Sequence, residues 1–161
     1  MFPAKGGAGS GAVGERVFFS ADVTRMAGVT LRQLQWWDER KVVAPRKENH
    51  RRVYLPQQVL EILIVAALRR KGLSLRKIRR ILRLLRRELA QPSSKARDDA
   101  SKLYLLTDVH SVHLEDEPER ILKLLSEAPS AMYLVSLSDQ IKRITSEEAP
   151  RRYWTRQLQL F

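Results

Sequence analysis

The stretch Leu31–Arg40 carries residue types suited to non-covalent recognition of a polyanion. Read at helical spacing, it puts Leu34 and Trp37 on one side, with Val29 just before them. Arg32, Gln33, Gln35 and Trp36 fall largely on the other side. An arginine fork hydrogen-bonds guanine bidentately, and an indole packs on sugar and phosphate. Trp36 follows Arg32 by one helical turn, so this face reads as a contact surface. A second cationic patch follows at Arg46-Lys47-Glu48-Asn49-His50-Arg51-Arg52, placed to touch backbone phosphates. Such a pair of features is suited to duplex DNA.

The elements that must hold these residues are legible around them. Order is expected to begin near Val17-Phe18-Phe19. Ser20 is the expected N-cap of a first helix, with Asp22 in its first turn and Val23, Met26 and Ala27 as its apolar stripe. Gly28 ends that helix and Thr30 caps the second, Leu31–Arg40. Two short helices joined by a tight glycine-containing turn form a helix-turn-helix unit. Val42-Val43-Ala44-Pro45 and Val53-Tyr54-Leu55 flank the basic patch as the apolar ends of a small hairpin, or wing. Pro56 is placed to start a third helix, apolar nearly all round from Val59 to Leu68 and so buried. Ser74 caps a fourth, with Leu75, Ile78, Ile81, Leu82, Leu85 and Leu89 inward. Its other face carries Arg76, Lys77, Arg79, Arg80, Arg83, Arg86 and Arg87, cations that repel one another unless an anionic group approaches.

The segment Gln91-Pro92-Ser93-Ser94 reads as a linker. Beyond it, Leu103–Leu106 and Val112–Leu114 read as strands. Asp116 reads as the cap of a helix with Pro118 in its first turn and Ile121, Leu122, Leu124 and Leu125 as its core face. Met132–Leu137 reads as a third strand and Ser138 as the start of a last helix. The expected organisation is a Gly-rich tail (1–15), a winged helix-turn-helix domain (16–90), a linker (91–101), a small α+β module (102–148) and a basic, aromatic tail (149–161). The fold class is mainly α.

Charge divides along the same lines. Residues 16–97 hold 21 Lys/Arg against 6 Asp/Glu, whereas residues 98–149 hold 5 against 11. One part is therefore built to meet a polyanion and the other is not. The chain has no cysteine, which excludes disulfides, thiolate metal sites and thiol catalysis. The glycine-rich start lacks the apolar core of a signal peptide, and no apolar run is long enough to span a membrane. A cytoplasmic protein is expected.

Val29-Thr30-Leu31-Arg32-Gln33-Leu34-Gln35-Trp36-Trp37-Asp38-Glu39, then Val42-Val43-Ala44-Pro45, Arg52-Val53-Tyr54 and Leu73-Ser74-Leu75-Arg76-Lys77-Ile78, together resemble the DNA-binding domain of MerR-family transcriptional regulators. The resemblance covers about residues 17–89. It implies that the second helix enters the major groove, that Arg32 contacts bases, and that the wing with Arg52 and Tyr54 contacts the flanking backbone. Trp36 and Trp37 stand where the family has an aromatic or histidine pair. Gln35 replaces a frequent Arg, Lys41 replaces a frequent Gly, and the wing lacks its usual Gly. The family's long dimerisation helix is not expected here, because Pro92 follows the fourth helix almost at once.

The candidate DNA-binding set is Ser20, Thr30, Arg32, Gln33, Gln35, Trp36, Trp37, Lys47, Asn49, His50, Arg51, Arg52 and Tyr54, with Trp36 favoured over Trp37 for contact. Arg69, Arg70 and Lys71 are further candidate phosphate contacts. His110 and His113 lie three apart across a strand turn, a spacing that sends strand side chains to opposite faces, so no metal pair is read there. No catalytic constellation and no cofactor site is read. The expected partner is double-stranded DNA; a homodimer through the C-terminal module or tail, and RNA polymerase, are further candidates. Two alternatives stand beside a sequence-specific regulator. One is an excisionase-like or antitoxin-like accessory DNA binder, and the other a ligand- or protein-sensing module addressed to DNA.

Overall fold

The computed structural model describes residues 16–91 and 102–146. The Gly-rich tail, most of the linker and the basic, aromatic tail lie outside the described residues. Among the described residues there are six helices and two three-stranded sheets, and the fold is mainly α. The described residues divide into two compact units, one of residues 16–62 with 143–146, the other of residues 63–91 and 102–142.

The first unit begins with a two-residue strand, β1 (Phe18–Phe19), followed by α1 (Ser20–Ala27) and α2 (Leu31–Glu39). The wing is β2 (Arg46–Glu48) and β3 (Arg51–Tyr54). The sheet order is β1-β3-β2, all antiparallel, with Phe18 opposite Tyr54 and Lys47 opposite Arg52. The hairpin differs from the sequence expectation. Val42 and Val43 are buried but lie outside any strand; β2 is formed by the polar residues Arg46–Glu48, and β3 starts at Arg51 and ends, as expected, in buried Val53 and Tyr54.

Local chemistry explains the joints. The N-cap of α1 is Phe19 rather than Ser20, and Ser20 is the first helical residue. The Asp22 carboxylate accepts from the Phe19 backbone N–H at 3.0 Å, the role a capping residue was expected to fill from the other side. Burial pushes the Asp22 carboxyl up, against the Phe19 hydrogen bond and Arg25, which lower it. Gly28 ends α1 with φ 65°, a left-handed turn that costs glycine nothing sterically. α2 opens with a capping box: Thr30 Oγ1 accepts from Gln33 N at 3.1 Å, and Gln33 Oε1 accepts from Thr30 N at 2.9 Å.

The end of α2 is a Schellman turn. Lys41 N–H donates to Asp38 O and Val42 N–H donates to Trp37 O, both at 2.9 Å. Lys41 occupies the left-handed position, with φ 56°. A side chain there costs roughly 1–2 kcal/mol, which is why glycine is frequent at such a site. Lys41→Gly is therefore expected to stabilise the protein by about 1 kcal/mol, after the extra freedom of the unfolded glycine is allowed for. Thermal unfolding would register this as a rise of a few degrees. A fall in melting temperature would contradict the assigned turn.

α3 (Pro56–Arg70) starts in the first unit and ends in the second. Its N-terminus is tied by Gln58, whose Oε1 accepts from Leu55 N and whose Nε2 donates to Ala44 O, each at 2.9 Å. As its composition implies, Val59 and the run from Ile62 to Ala66 are buried, as is Leu68.

The second unit continues with α4 (Leu75–Ala90), β4 (Tyr104–Thr107), β5 (Val112–Glu115), α5 (Pro118–Glu127), β6 (Tyr133–Ser136) and α6 (Leu137–Thr145), the last of these ending in the first unit. Ser74 caps α4 as expected, accepting from Lys77 N, and Ile78, Ile81, Leu82 and Leu85 are buried. The sheet order is β5-β4-β6, antiparallel throughout. Two expectations for α5 are corrected. Its N-cap is Glu117, not Asp116, because Pro118 sets the first helical φ immediately after it. Of its apolar stripe only Ile121 is buried; Leu122 is 66% exposed and Leu125 41% exposed.

Candidate nucleic-acid interface

The exposed face of α2 and the wing both belong to the first unit. Thr30, Arg32, Gln33, Gln35, Trp36 and Glu39 line an open groove of about 590 Å³ along α2. Arg32, Trp36 and Glu39 recur at four and three residues, which is one helical stripe. Glu39 escaped the sequence reading, although this spacing marks it. A carboxylate there accepts hydrogen bonds, as cytosine N4 can donate them. The other side of α2 is sealed, with Leu34 and Trp37 buried.

The two tryptophans are thus divided by one residue of helical rotation. Trp36 is 42% exposed and Trp37 only 2%. Trp37 is therefore a core residue, and its place in the contact set is corrected. Trp36 shares its groove with Arg32, but the cation over its ring is Arg40, at 5.4 Å from the ring centroid. Arg40 follows Trp36 by four residues, the same helical neighbourhood in the opposite direction. The capping box engages Thr30 Oγ1 and Gln33 Oε1, which fixes these two side chains on the helix start.

The wing tip is the two-residue turn Asn49–His50, with φ 50° and 66°. Glu48 pairs with Arg51 across it, so it is a two-residue hairpin loop with both central residues left-handed. Asn and His are among the non-glycine residues most often found in that region, which accounts for a tight wing without glycine. Lys47, Asn49, His50 and Arg51 are exposed. The Arg51 guanidinium lies 5.4 Å from the centroid of Phe19.

Arg52 has a different position. Its Nε donates to Asp38 Oδ2 at 2.7 Å, and both side chains are largely buried. This ion pair joins β3 to the last turn of α2. The sequence points Arg52 to phosphate contact, whereas here its guanidinium meets Asp38. Fourteen residues separate the two, so spacing carried no signal.

Tyr54 is fully buried, and its hydroxyl has no partner meeting hydrogen-bond geometry. Its expected contact role is corrected, since the side chain is not on the surface. Burial pushes its phenol up to about 12, with Asp38 adding to the rise and Arg52 and the half-buried Ser20 opposing it. A raised phenol stabilises the fold fully below its unfolded value of 10, and that contribution is lost as pH rises towards about 12. Melting temperature is expected to fall across that alkaline range, and Tyr54→Phe is expected to flatten the fall. Identical alkaline profiles for the two proteins would contradict the buried phenol. Arg69, Arg70 and Lys71 are exposed in the second unit, where Arg69 Nη1 donates to Leu73 O at 2.9 Å.

The order of elements, the groove on α2 and the two-residue wing all lie within one segment that has known relatives. Residues 20–85 match the family model described as MerR HTH family regulatory protein. This segment is a MerR-type helix-turn-helix domain. A MerR-type domain is a DNA-binding module of transcription regulators, and the resemblance read from the sequence is shown for this stretch. No curated protein matches the chain. No helix among the described residues is long and apolar enough to cross a membrane. No group of His, Asp or Glu among the described residues is arranged to hold a metal ion.

Proposed function

We propose that the protein is a sequence-specific transcriptional regulator that reads duplex DNA with α2 and grips phosphates with its wing. The observation that carries this is the exposed face of α2, where Arg32, Gln35, Trp36 and Glu39 share one groove beside the capped helix start. In this reading Arg32 contacts base edges, Trp36 packs on the sugar-phosphate backbone, and Lys47, Asn49, His50 and Arg51 hold flanking phosphates. Gln33 and Thr30 set the helix start against the backbone. In this reading the protein works in the cytoplasm.

The test begins with selection of bound duplexes from a random library. Affinity is then measured for the selected duplex and for random DNA across a salt series. Each neutralised phosphate contributes about −0.9 to the slope of log K against log salt. Arg32→Ala is expected to lose roughly 1–3 kcal/mol of preference for the selected duplex, with little change on random DNA. Full discrimination by that variant would remove α2 as the reading helix. Recovery of no preferred sequence would favour an accessory, sequence-tolerant binder.

A further inference from the structure

The second unit contains a cleft that the DNA-reading surface does not use. Arg76, Lys77, Arg80 and Arg83 of α4 form one wall of it, together with Ser74. The β4–β5 turn, at Asp108, Val109 and His110, forms another, and Ser130, Ala131 and Tyr133 complete it. The volume is about 700 Å³. That falls in the range of small-molecule sites.

The cleft is rich in donors and poor in acceptors. Arg76, Lys77, Arg80 and Arg83 are exposed, and among the described residues none of the four has a carboxylate partner. Four cations within two helical turns repel one another, which an anion relieves. Arg80 Nη1 lies 3.2 Å from His110 Nδ1, so the turn and the helix meet at this point. The one carboxylate among the described residues that line the cleft, Asp108, is already engaged. Asp108 Oδ1 accepts from His110 N at 2.9 Å, from Ser111 N at 2.7 Å and from Ser111 Oγ at 2.8 Å. Thr107 Oγ1 further donates to Ser111 O and accepts from Val109 N.

Those bonds hold Val109 at φ 80°. A β-branched residue there is an outlier that persists only where the surroundings over-determine it, and such residues cluster at ligand sites. The turn is thus a strained wall beside a row of cations that have no carboxylate partner among the described residues.

We propose that this cleft binds a small molecule bearing at least two phosphoryl-type anionic groups on an apolar or aromatic body. The cations of α4 take the anionic oxygens, the hydroxyls of Ser74 and Ser130 donate to them, and Val109, Ala131 and the Tyr133 ring meet the body. The inference does not depend on the reading of α2.

Isothermal titration of the full chain with inorganic pyrophosphate, at fixed ionic strength, tests it. One site per chain is expected. The variant R76A/R80A should bind at least tenfold more weakly, while R32A should be unchanged. Circular dichroism melting of each variant reports whether it is folded, and these exposed substitutions are expected to leave the melt within a few degrees of the parent. Equal pyrophosphate affinity in parent and R76A/R80A would overturn the proposal, as would several weak equivalent sites. A matching loss of random-DNA affinity in R76A/R80A, with no single pyrophosphate site in the parent, would assign the cations to DNA instead and also overturn it.

Discussion

Truncating Trp37 to alanine is expected to cost roughly 3–5 kcal/mol of folding stability, whereas the same change at Trp36 costs about 1 kcal/mol or less. The difference comes from one step along a helix. Trp37 is among the largest fully or nearly fully buried side chains, and its removal leaves a cavity in the core. Trp36 loses only an exposed ring and its stacking with Arg40. Function should divide the other way. The Trp36 variant stays folded and loses roughly 1–2 kcal/mol of duplex affinity, as an exposed aromatic contact would. Urea denaturation followed by far-UV dichroism measures the first quantity and fluorescence anisotropy on a labelled duplex the second. Equal destabilisation by the two substitutions would mean that the rotation of α2 is misassigned.

The second large effect concerns Asp38 and Arg52. Asp38→Ala leaves a largely buried guanidinium without its carboxylate, which should cost about 2–3 kcal/mol. This is less than for a fully buried pair, because water reaches part of the arginine. Removing Arg52 as well should recover part of that loss. A double-mutant cycle on stability is therefore expected to show coupling of at least about 1 kcal/mol. An arginine that served only to hold phosphate would show no such coupling, and additive losses would return Arg52 to the contact set.

Much of the fold was legible because its signals are local. Thr30 and Gln33 stand three apart, as a capping box requires, and Gly28 stands where a left-handed residue ends α1. The apolar run of α3 and the stripe of α4 needed no partner to be recognised. The misreadings share a cause, which is that their signals are non-local. β1 is two residues long and exists only by pairing with Val53 and Tyr54, so no periodicity announces it. β2 is polar throughout because it flanks an exposed tip, so no apolar pattern marks it, whereas the apolar end of β3 at Val53 and Tyr54 is legible. Leu122 and Leu125 keep a helical stripe that nothing among the described residues covers fully, and a stripe alone does not say what packs on it.

The site divides in the same way. Residues that meet solvent by helix geometry, Arg32 and Trp36, could be placed from spacing. Residues whose position depends on another element could not: Tyr54 is turned inward, and Arg52 finds Asp38 across the sheet-to-helix joint. Position 41 was visible as a departure from a frequent glycine, but its meaning needed the backbone angle.

The two-residue wing tip also limits how this protein can diversify. Side chains alternate along β3, so Arg52, which meets Asp38, shares one face with Tyr54, while Val53 is buried on the other. Inserting or deleting a single residue at Asn49–His50 would shift the register by one and exchange those faces. Arg52 would leave Asp38, and the buried places of Val53 and Tyr54 would be taken by their neighbours in the chain. The wing can therefore drift by substitution at its tip, but a change of length is tolerated only in steps that restore the alternation. Among descendants of this sequence, the composition of the wing should vary more freely than its length.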